Sequence, residues 1–195
     1  MDPAMKLIRF ADLTPKPWKN GGGTTTEIAV APEGAGFDDF DWRLSVAEVA
    51  SDGPFSLFPQ IDRTLTLIEG HGLDMSIDGR EAVRLTPASA PLAFPGDVPV
   101  TASLIDGPIR DFNVMTRRGR FSHRVVRYDL ASGRLALPQD GLRLVVALGT
   151  GPVRIGAASL DLGFGDVLAF EAGDTGSIEG ALPVLSIGLL PATTG

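Results

Sequence analysis

A polar loop near the amino terminus combines residue types that bind small molecules. The segment Pro17–Glu27 places a tryptophan, a lysine and an asparagine before three glycines, followed by three threonines and a glutamate. Consecutive glycines favour a sharp bend or a close approach of the backbone to a ligand, because glycine has no Cβ. Residues 27–30 then have the pattern of a strand. The loop is interpreted either as the rim of a ligand site or as a plain turn between strands.

A second set of polar residues lies on the strand predicted for residues 110–116. Period-2 geometry puts Asp111, Asn113 and Met115 on one face and Phe112 and Val114 on the other. If the two apolar residues pack against a neighbouring layer, the other three project into the interior of a barrel. A small barrel with polar inward residues contains either a ligand cavity or a buried polar network.

Two arginines are predicted to face the same interior. Arg43 and Ser45 share one face of a strand over 42–47, and Arg63 opens the strand 63–69. Arginine binds carboxylates through two parallel hydrogen bonds, so the interior suits a small acid. Unpaired buried charges are costly. The alternative to a ligand site is therefore a purely structural ion pair, in which Arg43 and Asp111 neutralise each other.

The predicted ligand site combines the loop with these strand faces. A carboxylate would be bound inside the barrel, with the loop as its rim. The predicted ligand-binding residues are Trp18, Lys19, Asn20, Gly21, Gly22, Thr24, Arg43, Ser45, Arg63, Asp111, Asn113 and Met115.

Neither a metal centre nor a catalytic constellation is predicted. The chain has two histidines, His71 in a Gly-His-Gly turn and His123 in a polar stretch, and neither has a partner at ligand spacing. The chain lacks cysteine and a Gly-x-Ser-x-Gly elbow. Lys19 with Asp111 could exchange protons, but such pairs are more often salt bridges. We therefore predict no catalytic residue, no metal and no cofactor.

Composition narrows the class of partner. The 195 residues include 24 glycines and 15 prolines, which favours many turns and short strands. A net charge of −7 argues against nucleic acid, which needs a positive surface. No apolar run has the length of a membrane span, and no signal peptide is recognised. A cytoplasmic protein without nucleic-acid or membrane partners is expected.

The two halves of the sequence resemble each other weakly. The Leu-Ala-Phe of residues 92–94 recurs at 168–170, and the Gly-Asp of 96–97 recurs at 173–174. Paired glycines after a strand also recur, at Gly70 and Gly149. The offsets are 76, 77 and 79 residues, which indicates a duplicated unit with small loop changes.

Short strands, glycine turns and duplication together predict an all-β fold. We expect a bicupin, formed by two jelly-roll or double-stranded β-helix barrels. Residues 5–120 are predicted to form an amino-terminal unit with the ligand cavity. Residues 121–195 are predicted to form a carboxy-terminal unit that gives structural support, closely packed as one globule with the first. The predicted strand 142–148 has mostly apolar residues, and the closing strand offers only Ser186 as a polar group.

Several motifs resemble the HutD/Ves family. They are Pro-Trp-Lys-Asn-Gly-Gly-Gly-Thr at 17–24, Trp-Arg-Leu-Ser-Val-Ala at 42–47, Asp-Gly-Pro-Phe-Ser at 52–56, Asp-Arg-Thr at 62–64 and Asp-Phe-Asn-Val-Met at 111–115. The resemblance is strong over residues 7–128 and weak beyond them. It implies a bicupin associated with histidine utilisation, with a ligand such as formylglutamate or urocanate and a regulatory role. Cupins that bind a metal are characterised by clustered histidines and a glutamate. This chain does not have that pattern.

The leading hypothesis is a metal-independent bicupin that binds a small carboxylate and regulates histidine utilisation. The first alternative is a metal-independent enzyme, an isomerase or amidohydrolase acting on a similar acid, with Asp111 or Lys19 as proton carrier. The second is a structural partner protein. A homodimer is compatible with each hypothesis.

Overall fold

The computed structural model describes residues 5–137, 140–174 and 176–192. Within these ranges the chain forms nineteen strands and two short 3-10 helices, at Phe10–Asp12 and Leu130–Ser132. In chain order the strands are β1 Met5–Ile8, β2 Lys16–Pro17, β3 Gly23–Ala31, β4 Trp42–Val49, β5 Gly53–Pro54, β6 Ile61–Glu69, β7 Leu73–Ile77, β8 Val83–Leu85, β9 Leu92–Pro95, β10 Val100–Leu104, β11 Ile109–Arg117, β12 Phe121–Asp129, β13 Leu135–Ala136, β14 Leu142–Ala147, β15 Gly151–Ile155, β16 Ala158–Leu162, β17 Val167–Phe170, β18 Ser177–Gly180 and β19 Pro183–Pro191.

The chain divides into two compact units. Residues Thr14–Ser122 form one unit, called here the N-terminal barrel. The described residues up to Leu13 and those from His123 onward form the other, called the C-terminal barrel. This division differs from the predicted units 5–120 and 121–195 mainly at the first strand. The strand β1 pairs antiparallel with β17 along its whole length, which places residues 5–8 in the C-terminal barrel.

The N-terminal barrel consists of two antiparallel sheets. One has the strand order β2-β3-β4-β11-β6-β9 and the other β5-β10-β7-β8. Alternating side chains of both sheets meet in a shared apolar core. The first sheet contributes Leu65 and Leu67 to this core, and the second contributes Leu73 and Met75.

The C-terminal barrel has a corresponding pair of sheets. Their strand orders are β1-β17-β14-β19-β12 and β13-β18-β15-β16. Val145 and Phe170 from the first sheet meet Val153 and Ile178 from the second in one core. The predicted all-β fold with two jelly-roll barrels is therefore confirmed.

The described residues include no helix that is long and apolar enough to cross a membrane.

Candidate functional site

The predicted inward faces of β4, β6 and β11 are confirmed by the strand register. Asn113 pairs with Ser45, and Met115 pairs with Arg43 on one side and Arg63 on the other. Directly paired residues project from the same face of a sheet. This face also carries the apolar core of the N-terminal barrel, so the polar residues lie inside it.

Asp111, Asn113 and Arg63 form a hydrogen-bonded relay on this inner face. Arg63 Nε donates to Asn113 Oδ1 over 2.8 Å. The amide Nδ2 of Asn113 donates in turn to Asp111 Oδ1. The asparagine therefore uses its acceptor on the cation and its donor on the acid, which satisfies both ends of the amide. The exposed fraction of the residue is 8% for Arg63, 2% for Asn113 and 1% for Asp111, so the relay is buried.

Burial alters the acid–base properties of both ends of the relay. Desolvation lowers the pKa of Arg63 to about 10, although the nearby charge of Asp111 opposes this effect. Desolvation also raises the pKa of Asp111 to about 6, opposed by the charge of Arg63 and by the hydrogen bond from Asn113. The second carboxyl oxygen of Asp111, Oδ2, is buried without a hydrogen-bond partner among the described residues. The pKa of Asp111 is therefore closer to neutral pH than that of an exposed aspartate.

Two phenyl rings flank the guanidinium of Arg63. Its Cζ lies 4.8 Å from the ring centroid of Phe55 and 5.5 Å from that of Phe94. Within the described ranges its terminal nitrogens, Nη1 and Nη2, make no hydrogen bond. The sequence prediction missed both rings, although the Phe-Ser pair at 55–56 belongs to one of the motifs shared with the family. A cation held between aromatic faces with free donors is suited to bind an anion with an apolar part.

Arg43 has a different environment from Arg63. Its Nε forms a 2.8 Å salt bridge with Glu27, and its Nη1 donates to Ser45 Oγ over 3.1 Å. Its Cζ also lies 5.1 Å from the ring centroid of Phe37. The predicted alternative, in which Arg43 and Asp111 neutralise each other, is wrong because Glu27 is the carboxylate that pairs with Arg43. Glu27 was part of the opening sequence motif but was not predicted as a site residue.

The polar loop lies at the opposite end of the sheet from Arg43. Gly23, the last of the three loop glycines and the first residue of β3, pairs with Val49 at one end of β4, whereas Arg43 pairs with Val30 near the other end. Six residues of strand separate Arg43 from Val49, or about 20 Å. The structure therefore does not bring Lys19, Asn20, Gly21, Gly22 and Thr24 together with the two arginines. The prediction that the loop forms the rim of their site is wrong.

The glycines of the loop have a structural explanation. Gly21 has a φ of 72°, in the left-handed region that favours glycine. A Cβ on Gly23 would lie 2.2 Å from the carbonyl oxygen of Glu48. Asn20 Oδ1 accepts from the backbone nitrogen of Gly22 over 3.1 Å, which closes a local turn. These features support the interpretation of the loop as a tight turn between strands.

Trp18 is the loop residue that reaches the barrel interior. Its indole Nε1 donates to Thr25 Oγ1 over 2.7 Å, and its ring packs against the apolar core. Thr25 pairs with Ala47, which in turn pairs with Asp111. Trp18 therefore lies on the Asp111 side of the barrel rather than beside the arginines.

The described residues provide no candidate metal centre. No group of three or more histidine, cysteine, aspartate or glutamate side chains lies together within these ranges. His71 is exposed, and its Nδ1 lies 2.9 Å from the carbonyl oxygen of Asp106. The residues of this chain therefore do not fit the histidine-based metal site that the cupin fold often contains.

Comparisons with known proteins identify relatives of the chain. It is 34% identical over 173 residues, 87% of this chain and 88% of the relative, to an uncharacterised 21.2 kDa protein in the hutC 3' region of Pseudomonas putida. It is 42% identical over 118 residues to the protein Ves of Cronobacter sakazakii, covering 58% of this chain and 62% of that one.

Solved structures agree with the fold. The structure of HutD from Pseudomonas fluorescens is 34% identical, covers 97% of this chain and 100% of that one, and superposes with a TM-score of 0.83. A cupin 2 conserved barrel domain protein from Leptotrichia buccalis, 13% identical with coverage of 96% and 97%, superposes with a TM-score of 0.60 and shows the fold alone. The HutD family model matches residues 10–184. The chain thus belongs to the HutD family.

Proposed function

We propose that the N-terminal barrel binds a small carboxylate metabolite through Arg63, with Arg43 nearby as a second cation. The observation that carries this proposal is the environment of Arg63. Its guanidinium is buried, its acid partner Asp111 is reached only through Asn113, and its terminal nitrogens are unpaired within the described residues. A buried cation without a directly paired anion is costly, and a ligand carboxylate would offset that cost.

The geometry favours a carboxylate over other anions. Nη1 and Nη2 of Arg63 lie at the free end of a planar guanidinium whose Nε is already used. This end presents parallel N–H groups that match the two oxygens of a carboxylate. Phe55 and Phe94 flank the same group and would contact the apolar part of a metabolite.

Membership of the HutD family supports a ligand from histidine breakdown. Formylglutamate and urocanate are both small carboxylates, and the relative from Pseudomonas putida is described by its position next to a hut gene. The similar HutD structure from Pseudomonas fluorescens was obtained in a formate condition, and formate is the smallest carboxylate. In this proposal ligand occupancy reports metabolite level and regulates histidine utilisation.

A metal-independent enzyme is the second candidate, and Asp111 is the observation that favours it. Its raised pKa and its unpartnered Oδ2 are properties of a proton carrier for an isomerase or amidohydrolase. Lys19 belongs to the loop at the Asp111 end of the sheet and is the second candidate for this role.

Calorimetry and thermal unfolding with formate, formylglutamate, urocanate and glutamate test the proposal. A ligand present at about 100 times its Kd stabilises the folded chain by about 2.7 kcal/mol, which raises Tm by several degrees. The variant Arg63→Met should lose this shift. Arg84→Met is the matched control, because Arg84 is an exposed arginine of the same barrel that pairs with Asp74.

Three outcomes separate the hypotheses. Binding without turnover supports the regulatory binding protein. Turnover of a bound acid that is lost in Asp111→Asn supports the enzyme. If none of the four acids shifts Tm at millimolar concentration, the carboxylate proposal fails and the partner-protein hypothesis gains support.

A further inference from the structure

The two barrels share the same strand order over eight strands. In the larger sheets the order β4-β11-β6-β9 of the N-terminal barrel corresponds to β12-β19-β14-β17 of the C-terminal barrel. In the smaller sheets β5-β10-β7-β8 corresponds to β13-β18-β15-β16. Residues at equivalent positions can therefore be compared directly through the strand register.

The register places Arg143 at the position of Arg63. In the N-terminal barrel Arg63 pairs with Phe94 on one neighbouring strand and with Met115 on the other. In the C-terminal barrel Arg143 pairs with Phe170 and with Gly188. The arginine and the adjacent phenylalanine thus occur at the same place in both barrels, although the surrounding strand 142–147 is otherwise apolar.

The partners of the two arginines differ. Ser186 takes the place of Asn113 in the register, and Arg143 Nη1 donates to Ser186 Oγ over 2.5 Å. Val184 takes the place of Asp111, so the acid of the N-terminal relay has no counterpart here. Arg143 therefore has a polar partner but no carboxylate.

The guanidinium of Arg143 has a free edge. Nε is buried and has no hydrogen-bond partner in the described part of the chain. In a planar guanidinium the Nε–H and one Nη2–H point in the same direction and form a fork that fits two oxygens. A Cβ on Gly188 would lie 3.8 Å from Nη2, so the absence of a side chain there leaves space beside this fork.

A cavity of about 210 Å³ opens at this position. Arg124, Arg143 and Ser186 supply its polar lining, and Val126, Tyr128 and Leu135 supply apolar surface. The volume lies below the roughly 300 Å³ of pockets for drug-sized ligands, so the cavity fits a molecule of a few heavy atoms. Its lining combines cationic donors with apolar surface, as a short-chain acid requires.

The charged residues that line the cavity, Arg124 and Arg143, are both positive. Among the residues that line it none is acidic. Arg124 forms neither a hydrogen bond nor an ion pair with any other described residue. Partial burial, followed by the positive charge of Arg124, lowers the pKa of Arg143, which indicates that the two cations repel each other. A bound anion would relieve this repulsion and pair with the buried Nε.

We propose that the C-terminal barrel contains a second site, which binds a small carboxylate with a short apolar tail on the free edge of Arg143. This site is independent of Arg63 and of the function proposed above. The carboxylate lies on the Nε and Nη2 donors, Arg124 provides the second positive charge, and the tail contacts Val126 and Leu135. The C-terminal barrel is then a binding unit, in addition to the structural support that the sequence predicted for it.

Calorimetric titration of the full chain with sodium butyrate tests this site. The titrations use an Arg63→Met background, in which the first site is removed, and sodium chloride at equal ionic strength as reference. We expect one butyrate per chain and weaker binding of inorganic phosphate. Adding Arg143→Met should weaken butyrate binding about tenfold to a hundredfold.

Two further variants keep the test valid if Arg143→Met unfolds. Gly188→Leu keeps the arginine but fills the cavity, and it should abolish binding. Arg124→Met removes an exposed charge and should weaken binding several-fold without affecting the fold. Arg154→Met is the control, because Arg154 is an exposed arginine of the same barrel that pairs with Glu179.

The proposal is overturned if butyrate does not bind in the Arg63→Met background, or if Arg124→Met and Gly188→Leu bind it as tightly as the parent does. Phosphate binding as tight as butyrate binding would also overturn it, because the site would then be a general anion site. If only the first site fails, the native chain binds one butyrate, and Arg63→Met leaves that binding unchanged while Arg143→Met weakens it.

Discussion

The two barrels place an arginine at the same position and surround it with different residues. Arg63 is connected to Asp111 through Asn113, whereas Arg143 has Ser186 and no acid. These partners all lie on one neighbouring strand, β11 in the first barrel and β19 in the second. One strand therefore determines whether the buried arginine has a counter-charge within the protein, while the rest of the barrel is retained.

The same strand determines whether there is space beside the arginine. Met115 fills the position next to Arg63 and is 3% exposed, whereas Gly188 leaves the corresponding position empty beside Arg143. A cavity of about 210 Å³ lies in the second barrel as a result. Substitutions that exchange these residues between barrels test the comparison directly.

The largest expected effect is that of Met115→Gly, which gives the N-terminal barrel the open position of the C-terminal one. Met115 packs with Phe40 and Ile61, so its loss leaves a cavity and adds the flexibility of glycine. We expect a loss of about 3–5 kcal/mol in the free energy of unfolding, measured by urea denaturation. A loss below 1 kcal/mol would show that methionine is not required to fill this position.

The next effect is a pH dependence of the free energy of unfolding. Asp111 titrates in the N-terminal barrel, whereas Val184 at the equivalent position of the C-terminal barrel has no titratable group. The folded chain binds the proton of Asp111 more tightly than the unfolded chain, because burial raises the pKa from 3.8 to about 6. Its contribution is therefore most favourable below pH 4 and is lost as pH rises through 6, by on the order of 3 kcal/mol. In Asp111→Asn this fall should be absent when unfolding is measured from pH 4 to 7.

Asp97→Asn is the control for this titration, with the opposite sign. Arg118 and Asp97 form a salt bridge, and the hydrogen bonds from Arg118 lower the pKa of Asp97 to about 2. The contribution of Asp97 is present above pH 4 and is lost as pH falls toward 2. A constant stability difference between the native chain and Asp111→Asn from pH 4 to 7 would contradict the assignment of a raised pKa to Asp111.

Sequence alternation predicted the strands that carry the candidate site, β4, β6 and β11. Period 2 divided the residues of each strand between two faces, and the inward orientation of Arg43, Arg63 and Asn113 depended on the assumption that the apolar face packs against a neighbouring layer. The strand register confirms that orientation. The partner of Arg43 could not be predicted in this way. Glu27 pairs with Ser45 on the inner face, and a register shift after Glu27 places Val30 rather than Ala29 opposite Arg43. Both the register and a bulge of this kind depend on the paired strand.

Distance along the sheet was the second feature that the sequence did not reveal. The loop before β3 shares residue types with a ligand rim, but β3 runs from Gly23 toward the arginines, which places the loop at the far end. Arg143 was missed for a related reason. Its strand has mostly apolar residues, and its equivalence to Arg63 is visible only when both cross-strand neighbours are known.

The third prediction compares the strength of two basic groups that the sequence placed in one site. Arg63→Lys removes the planar fork at the buried position and should weaken carboxylate binding about tenfold to a hundredfold, or about 1.5–3 kcal/mol. Lys19→Ala should leave the affinity unchanged, because Lys19 is exposed at the other end of the sheet. Calorimetry with formylglutamate measures both. Equal losses in the two variants would show that the loop and the arginine share a ligand.

The smallest effect is expected for Gly188→Ala, which moves the C-terminal barrel one step toward the N-terminal one. Gly188 does not have a left-handed backbone conformation, and a Cβ there would meet Arg143 at 3.8 Å, an ordinary van der Waals distance. Alanine should therefore raise the free energy of unfolding by about 0.4–1 kcal/mol, mainly by reducing the freedom of the unfolded chain. Thermal unfolding without added anion measures this gain. A decrease in Tm would show that the space beside Arg143 is required for folding, and the difference between the two barrels would then have a structural origin rather than a ligand-binding one.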